Sequence, residues 1–384
     1  MDMTLRPIDE QVMVITGASS GIGLVTAKMA ARQGASVVIA ARNENDLERA
    51  VEQIRAEGGR AVHIAGDVAD AAFVERIADT AVREFGRIDT WVNNAAVAVY
   101  GRIMEVDLDD MRRQFDVIYW GQVHGSRTAV PHLRQRGGAL INVASALADR
   151  AIPLQGNYCA AKHALKAFTD SLRMELEEEG APISVTLVKP GSIDTPFFEK
   201  AKTYLGVEPQ PVPPVYAPEV VAEAILHCAQ HPTRDIITGG MGKMLSIANS
   251  FPRLADRYME KTTFESQKTD VPVGDRPNNL YEPVAHDGGE RGSNWTGRTK
   301  STSLYTKAAL HPGTTAVAAA VGVGLIAATL IGRRVAARAD RSIGSLANDH
   351  PSEHSAFSES GAPAALPPVD DVPAMPTHDQ LSMP

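Results

Sequence analysis

The first 250 residues alternate between short apolar runs and longer amphipathic stretches. The apolar runs predict strands at Val12–Thr16, Val37–Ala41, Ala61–Ala65, Thr90–Asn93, Ala139–Val143, Ser184–Val188 and Asp235–Thr238. The stretches between them predict helices at Gly23–Gln33, Glu44–Glu57, Ala71–Phe85, Leu108–Arg136, Tyr158–Glu178 and Pro218–Gln230. Strands that alternate with helices form βαβ units, and nearly continuous apolar strands are buried on both faces. The pattern therefore predicts an α/β fold, a doubly wound parallel sheet with helices on both faces.

The chain divides by composition into four parts. We expect one doubly wound domain over residues 8–250, followed by a polar arm or linker over residues 251–312 that is rich in Gly, Pro, Asn and Lys. A C-terminal hydrophobic helix is predicted over residues 313–333. Residues 342–384 contain six acidic residues and no Lys or Arg. They predict a disordered acidic tail.

The hydrophobic segment has an uncharged core of 19 residues, Thr314–Gly332. A helix of that length would be about 28 Å long, close to the hydrocarbon thickness of a bilayer. We predict a transmembrane helix, with a buried Ala-rich helix as the alternative. The first ten residues contain no apolar run, so we expect the protein to be membrane-associated with its catalytic domain in the cytoplasm. Four arginines follow the segment and oppose export of the tail, which leaves the topology open.

Composition excludes several kinds of protein. The chain has 46 acidic and 38 basic residues and a net charge of −8, which argues against a nucleic-acid partner. The two cysteines, Cys159 and Cys228, exclude a disulfide framework and a Cys-rich metal site. The eleven histidines show no metal-ligand spacing, so no metal site is predicted.

A glycine-rich turn joins the first strand to the first helix. Glycines let a backbone approach a ligand, and a helix N-terminus offers N–H groups and a positive dipole end to a phosphate. Serine hydroxyls within the turn add donors. The turn predicts a dinucleotide phosphate site, with a plain strand–helix connection as the alternative. Its candidate cofactor-binding residues are Gly17, Ser19, Ser20, Gly21, Ile22 and Gly23.

The ends of the next strands supply further candidates for the cofactor site. Arg42 follows the second strand, where a carboxylate would bind a ribose hydroxyl and a guanidinium would pair with a 2′-phosphate. We therefore favour NADP(H) over NAD(H), with a surface arginine as the alternative. Asp67 and Val68 end the third strand, and Asn94 and Ala95 follow the fourth. Ligands of such sheets bind outside the carboxyl ends of the strands, where these residues converge.

Tyr158 and Lys162 are four residues apart at the start of a helix, and Ser145 follows the fifth strand. Residues at this spacing lie on one helix face. An ammonium group near a phenol lowers the phenol's pKa from about 10 toward the working pH. Tyr158 could then transfer a proton while the Ser145 hydroxyl holds a substrate oxygen.

Together these motifs resemble the short-chain dehydrogenase/reductase family over residues 8–250. The resemblance implies a Rossmann-like fold and hydride transfer between a carbonyl or alcohol and a nicotinamide cofactor. It implies that Tyr158 is the acid/base, that Lys162 also holds the nicotinamide ribose, and that Ser145 orients the substrate. The segment Pro190-Gly191-Ser192-Ile193-Asp194-Thr195 resembles the family's nicotinamide wall, which implies that Pro190, Gly191, Ile193 and Thr195 bind the cofactor. Such proteins usually pair through two long helices, so a homo-oligomer is expected.

Two positions depart from the family pattern. Ala96 replaces a glycine, and Ile118 stands where members often carry an asparagine that relays protons. We predict that Tyr119, or a backbone carbonyl with water, takes the place of that asparagine. Because Ile118 cannot relay a proton, a catalytically impaired dinucleotide-binding scaffold or sensor is the alternative function. Phe197, Phe198, Tyr204 and Leu205 lie in a segment that covers the substrate in this family. They favour an apolar substrate, with a loop packed on the core as the alternative.

Overall fold

Seven parallel strands form the central sheet of the computed structural model, which describes residues 3–240, 242–244, 250–311, 313 and 315. The strands are β1 (Val12–Thr16), β2 (Ser36–Ala41), β3 (Arg60–Ala65), β4 (Thr90–Asn93), β5 (Gly138–Val143), β6 (Ile183–Pro190) and β7 (Asp235–Thr238). Their order across the sheet is β7-β6-β5-β4-β1-β2-β3. The order reverses beside β1, so ligands are expected at the carboxyl ends of the strands near that point.

The predicted helices begin and end within a few residues of the expected bounds, and two further helices lie in the arm, where none was predicted. They are α1 (Gly21–Arg32), α2 (Glu44–Ala56), α3 (Ala71–Phe85), α4 (Leu108–Phe115), α5 (Gly121–Arg136), α6 (Gly156–Glu178), α7 (Pro218–Cys228), α8 (Pro252–Ser266) and α9 (Leu304–Leu310). The single helix predicted over Leu108–Arg136 is interrupted by a π-helical turn at Asp116–Trp120. Hydrophobic spacing does not distinguish such a turn from regular helix, since it adds only one residue to a helical turn.

The alternation of side chains along each strand divides the core into two layers. Met13 and Ile15 of β1 face a cluster formed with α1, α2 and α7. Val12 and Val14 face the opposite cluster, which includes residues of α3, α5 and α6. Both faces of β1 are therefore covered, which explains why every residue of that strand is buried. The doubly wound, Rossmann-like sheet predicted from the sequence is confirmed.

The arm after residue 250 contains regular elements of its own. It begins with α8, and its strand Lys268–Pro272 pairs antiparallel with Val207–Pro209. Further along, Thr299–Lys300 pairs with Val215–Tyr216, which also pairs with Ser192–Ile193. These pairs tie the arm to the loops that follow β6. Val99–Tyr100 and Lys202–Thr203 form one further short pair.

The hydrophobic segment at 313–333 lies outside the described residues except for positions 313 and 315, as does the whole acidic tail at 342–384. Of the helices in the described part of the chain, none has both the length and the apolar character needed to cross a bilayer. The transmembrane helix, the tail, the homo-oligomer and the cytoplasmic location stay predictions.

Candidate active site

A cavity of about 440 Å³ lies at the carboxyl ends of the sheet strands. It runs from the glycine turn after β1, past the ends of β2, β3 and β4, to Ser145 and Tyr158. Its wall contains every residue predicted for the cofactor or for catalysis except Gly23. The strands thus bring together residues that are separated by more than 170 positions in the sequence.

Two glycines of the turn are required by close backbone packing. Gly17 has a φ of +66°, and a Cβ there would lie 2.7 Å from the Cα of Ala95. A Cβ on Gly23 would lie 2.3 Å from the carbonyl oxygen of Gly17. The Asn94 side chain donates to the Thr16 and Gly17 carbonyls at 3.0 and 3.1 Å and fixes the turn against β4. Gly23 is therefore a packing residue, while the turn ahead of it faces the cavity.

Ser145, Tyr158 and Lys162 form a buried polar group in the cavity wall. The Ser145 hydroxyl accepts from the Leu147 N–H at 3.1 Å and is hydrogen-bonded to Tyr158. The Nζ atom of Lys162 lies 5.7 Å from the centroid of the Tyr158 ring and donates to the Val143 carbonyl at 2.8 Å. The helical spacing thus brings the amine and the phenol to one face of α6.

The pKa of Tyr158 departs from its ordinary value in the direction opposite to the prediction. Burial raises the pKa of the phenol, and the hydrogen bond from Ser145 opposes that effect only in part. Burial also lowers the pKa of Lys162 to about 7. A cationic neighbour alone would lower the phenol's pKa, but both groups lie in a poorly solvated site that favours their neutral forms.

Arg42 and Asp67 line the cavity but also contact protein groups that the sequence did not reveal. Arg42 donates to the carbonyls of Asn279, Leu280 and Tyr281, the last at 2.8 Å. The Asp67 carboxylate forms an ion pair with Arg113. Both sets of contacts lie beside the end of β2 and β3, where adenosine was expected.

The predicted substrate cover is divided between the cavity and the core. Phe197 and Phe198 line the cavity. Tyr204 does not, and its hydroxyl donates to Asp110 at 2.6 Å. Leu205 packs against a cluster of buried residues that includes Tyr100. Only half of the predicted aromatic and aliphatic set therefore lines the cavity.

Sequence reasoning missed a second group of wall residues from outside the strand ends. These are Gln155, Lys200, Gln210, Val212, Tyr258, Met259, Thr262, Thr263, Ser266, Asn279, Pro283 and Asp287. Most belong to the arm, whose irregular composition gave no sign of where it packs. Lys200 is one of two lysines in the segment after β6, with Lys202, and nothing in the sequence distinguishes it as a wall residue.

Of the two substitutes predicted for the family's asparagine, Tyr119 is not at the site, and the backbone carbonyl with water stays a prediction. Ile118 is fully buried and packs in a cluster with Tyr158 and Ala161. Tyr119 does not line the cavity, and its ring packs against Phe115 with centroids 5.3 Å apart. A backbone carbonyl does contact Lys162, namely that of Val143 on β5.

A family model described as short chain dehydrogenase matches residues 11–205, just over half of the chain. The chain belongs to the short-chain dehydrogenase family. It is therefore an oxidoreductase of a family whose members act on CH–OH groups with NAD(P). The Rossmann-like sheet and the Ser145, Tyr158 and Lys162 group agree with that membership.

Three relatives of this short-chain dehydrogenase extend the comparison. The uncharacterized oxidoreductase YxnA of Bacillus subtilis is 48% identical over 333 residues, which cover 85% of this chain and 91% of the relative. A 1-deoxy-11-beta-hydroxypentalenate dehydrogenase of Streptomyces avermitilis is 39% identical over 199 residues, or 51% of this chain and 72% of the relative. A short-chain dehydrogenase from Burkholderia phymatum in complex with NAD has a TM-score of 0.59 at 26% identity, covering 65% of this chain and 97% of that chain.

Proposed function

We propose that this short-chain dehydrogenase uses NADP(H) to interconvert a carbonyl and an alcohol on an apolar substrate. The observation that carries the proposal is one cavity that joins the glycine turn and Arg42 at one end to Ser145, Tyr158 and Lys162 at the other. When bound, the nicotinamide cofactor supplies or accepts the hydride. The glycine turn would hold its phosphates, and Pro190, Gly191, Ile193 and Thr195 would contact the nicotinamide end.

The protein's own groups manage the proton and the substrate oxygen. In the reducing direction the Tyr158 phenol donates its proton to the carbonyl oxygen, and burial keeps that phenol protonated beforehand because it raises the pKa. The Ser145 hydroxyl, hydrogen-bonded to Tyr158, orients the same oxygen. Lys162 has a pKa of about 7, so part of the population carries a charge near the developing phenolate at neutral pH.

The preference for NADP(H) rests on the guanidinium of Arg42. The guanidinium donates hydrogen bonds to neutral carbonyls and also lines the cavity. A cation without a carboxylate in contact favours a 2′-phosphate. The Burkholderia relative was solved with NAD, so the two cofactors must be compared directly on this enzyme.

The substrate class follows from the side chains around the catalytic end. Leu147, Ile152, Phe197, Phe198, Val212 and Met259 line the cavity, beside the polar Gln155, Gln210 and Thr262. Apolar walls gain binding free energy in proportion to the area that a ligand removes from water, about 25 cal/mol per Å². We therefore expect kcat/KM to rise along a series of ketones with longer alkyl chains.

Substituting Tyr158 by Phe tests the proposed function. We expect Tyr158→Phe to lower NADPH oxidation with a reactive ketone by about a hundredfold or more, since the proton donor is lost. NADPH binding, followed by fluorescence titration, should be retained. Tyr119→Phe is the matched control, because that ring packs outside the cavity, and it should keep wild-type activity.

The alternative function, a catalytically impaired dinucleotide-binding scaffold or sensor, predicts that the wild type binds the cofactor without turnover. Ile118 packs against Tyr158 and offers no polar group, which is the feature that favours an impaired enzyme. A wild-type protein that binds NADPH yet reduces no member of a broad carbonyl panel would support the scaffold and contradict the enzyme. Equal activity of Tyr158→Phe and wild type would contradict the assigned role of the phenol.

A further inference from the structure

Helix α8 of the arm presents one of its faces to the cavity. The wall residues from this helix are Tyr258, Met259, Thr262, Thr263 and Ser266. They recur every three or four residues, so they share one side of the helix. Met259 is buried in a cluster with Ile152 and Cys159, the residue that follows Tyr158. The arm therefore supplies part of the wall beside Tyr158, from a region beyond the residues that the family model matches.

Two buried glutamines hold the end of α8 against the start of α6. The Gln155 side chain, about one helical turn ahead of Tyr158, donates to the Gln267 amide oxygen at 2.7 Å. The Gln267 amide donates in turn to the Thr263 carbonyl at 2.7 Å. Buried amides that are engaged in several hydrogen bonds favour one arrangement. The position of Ser266, which directly precedes Gln267, is therefore fixed relative to the start of α6.

One hydroxyl on this face of α8 differs from its neighbours. Thr262 and Thr263 donate to the carbonyls of Tyr258 and Met259, at 2.8 and 2.6 Å. The Ser266 Oγ atom is buried and has no hydrogen-bond partner among the described residues. An unpaired buried hydroxyl costs about 1–3 kcal/mol. A ligand oxygen that pairs with Ser266 would recover part of that cost.

The part of the wall beside α8 holds no charged residue among those that the structure describes. The charged residues that line the cavity are Arg42, Asp67, Lys162, Lys200 and Asp287. Four of them lie at the end of the cavity near the glycine turn. Lys162 lies on the opposite side of Tyr158 from Gln155 along α6. A carboxylate or phosphate at α8 would lose its hydration without gaining a cation, so the wall there favours an uncharged oxygen.

We propose that Ser266 determines substrate specificity by binding an uncharged oxygen of the substrate, a carbonyl or hydroxyl remote from the reacting carbonyl. A serine hydroxyl can donate to the first and accept from the second. The substrate class is then an apolar compound with two oxygen functions rather than a simple ketone. Met259 and Ile152 would contact its apolar body. This inference rests on the proposed interconversion of carbonyl and alcohol at Tyr158.

The experiment compares full-length wild type with Ser266→Ala on two sets of probes. One set is linear methyl ketones, and the other is ketones of equal length with a second carbonyl at increasing distance from the first. Values of kcat/KM are measured with the cofactor that the wild type prefers. We expect the wild type to favour one diketone over its methyl ketone by about five- to tenfold, as for one neutral hydrogen bond. Ser266→Ala should remove that preference and leave the methyl ketone within about twofold.

Glu265→Ala is the matched control, because this neighbour on α8 has a side chain that is 83% exposed and lies outside the cavity. It should keep the wild-type preference. The thermal midpoint without substrate separates binding from structure, since removal of an unpaired hydroxyl should not lower it.

A lowered midpoint of Ser266→Ala with an unchanged preference would assign the hydroxyl to a structural hydrogen bond and overturn the inference. A wild type that reduces methyl ketones but favours no diketone would overturn it as well. A wild type that reduces no carbonyl in either set would instead refute the proposed function.

Discussion

Lys162 should make the stability of this protein depend on pH in a way that one substitution removes. Its amine is 1% exposed, and burial lowers its pKa from 10.5 to about 7. Between pH 7 and 10.5 the unfolded chain therefore binds a proton that the folded protein has released. Under that condition the free energy of unfolding rises with pH. Lys162→Met removes the titrating group and should remove this rise.

The expected size of the effect follows from the two pKa values. One unit of difference corresponds to about 1.4 kcal/mol. The buried amine then costs about 4 kcal/mol of folding free energy at pH 7 and about 2 kcal/mol at pH 9, and the cost vanishes above pH 10.5. The hydrogen bond from Lys162 to the Val143 carbonyl offsets part of this cost, by an amount that does not change with pH. The change between pH 7 and pH 9 is consequently the cleaner quantity.

Urea unfolding at pH 7 and pH 9, followed by tryptophan fluorescence, measures that change. We expect the unfolding free energy of wild type relative to Lys162→Met to increase by about 2 kcal/mol on going from pH 7 to pH 9. Tyr158→Phe is the control, because burial raises the pKa of this phenol and it stays neutral in both states over that range. Parallel pH profiles of wild type and Lys162→Met would show that the amine is solvated or charged in the folded protein, and the reasoning would fail.

Two further predictions concern the glycine turn and the strap, residues 279–292 of the arm. Gly23→Ala should lower the unfolding free energy by about 2 kcal/mol or more, since its Cβ would lie 2.3 Å from the Gly17 carbonyl oxygen. Gly240→Ala meets nothing closer than 3.9 Å and serves as control; equal effects in urea unfolding would contradict the packing argument. Glu290→Gln breaks the 2.7 Å ion pair that ties the strap to α1 at Lys28 and should speed NADPH release up to roughly fivefold. Glu57→Gln is the control, because it breaks the 2.7 Å ion pair of Glu57 with Arg32 of α1, outside the strap. Equal NADPH release rates for the two variants in stopped-flow displacement would show that the strap does not retain NADPH at the glycine turn.

The central sheet could be predicted because each strand carries its own signal. An apolar run such as Val12–Thr16 must be buried on both faces, and only a few βαβ arrangements bury seven such runs. The positions of the candidate catalytic residues could be predicted for the same reason. Ser145 follows a strand and Tyr158 begins a helix, so their places are fixed by elements that the pattern defines. Local signals therefore suffice where function is attached to regular structure.

The pKa shifts at the site were harder to predict from the sequence than its geometry. Helical spacing correctly placed Lys162 near Tyr158, yet the predicted direction of the phenol's pKa shift was wrong. A pair of residues in sequence reveals their mutual charge effect, but the cost of removing each from water depends on everything else packed around them. Ile118 illustrates the point, because it adds to the apolar enclosure of Tyr158 from a helix some forty residues earlier.

The strap shows a deeper reason why part of the site escaped prediction. It contacts Arg42, Gly21 and Asn43 through carbonyl oxygens of Tyr281, Gly289 and Val284. Every residue carries a carbonyl, so a sequence bears no mark of which ones will accept these bonds. Residues 279–292 also lack the periodicity that would assign them to a face of the sheet. Such a segment can be recognised as part of a binding site only from the partners that it holds, which here are Arg42 at the end of β2 and Gly21 of the glycine turn.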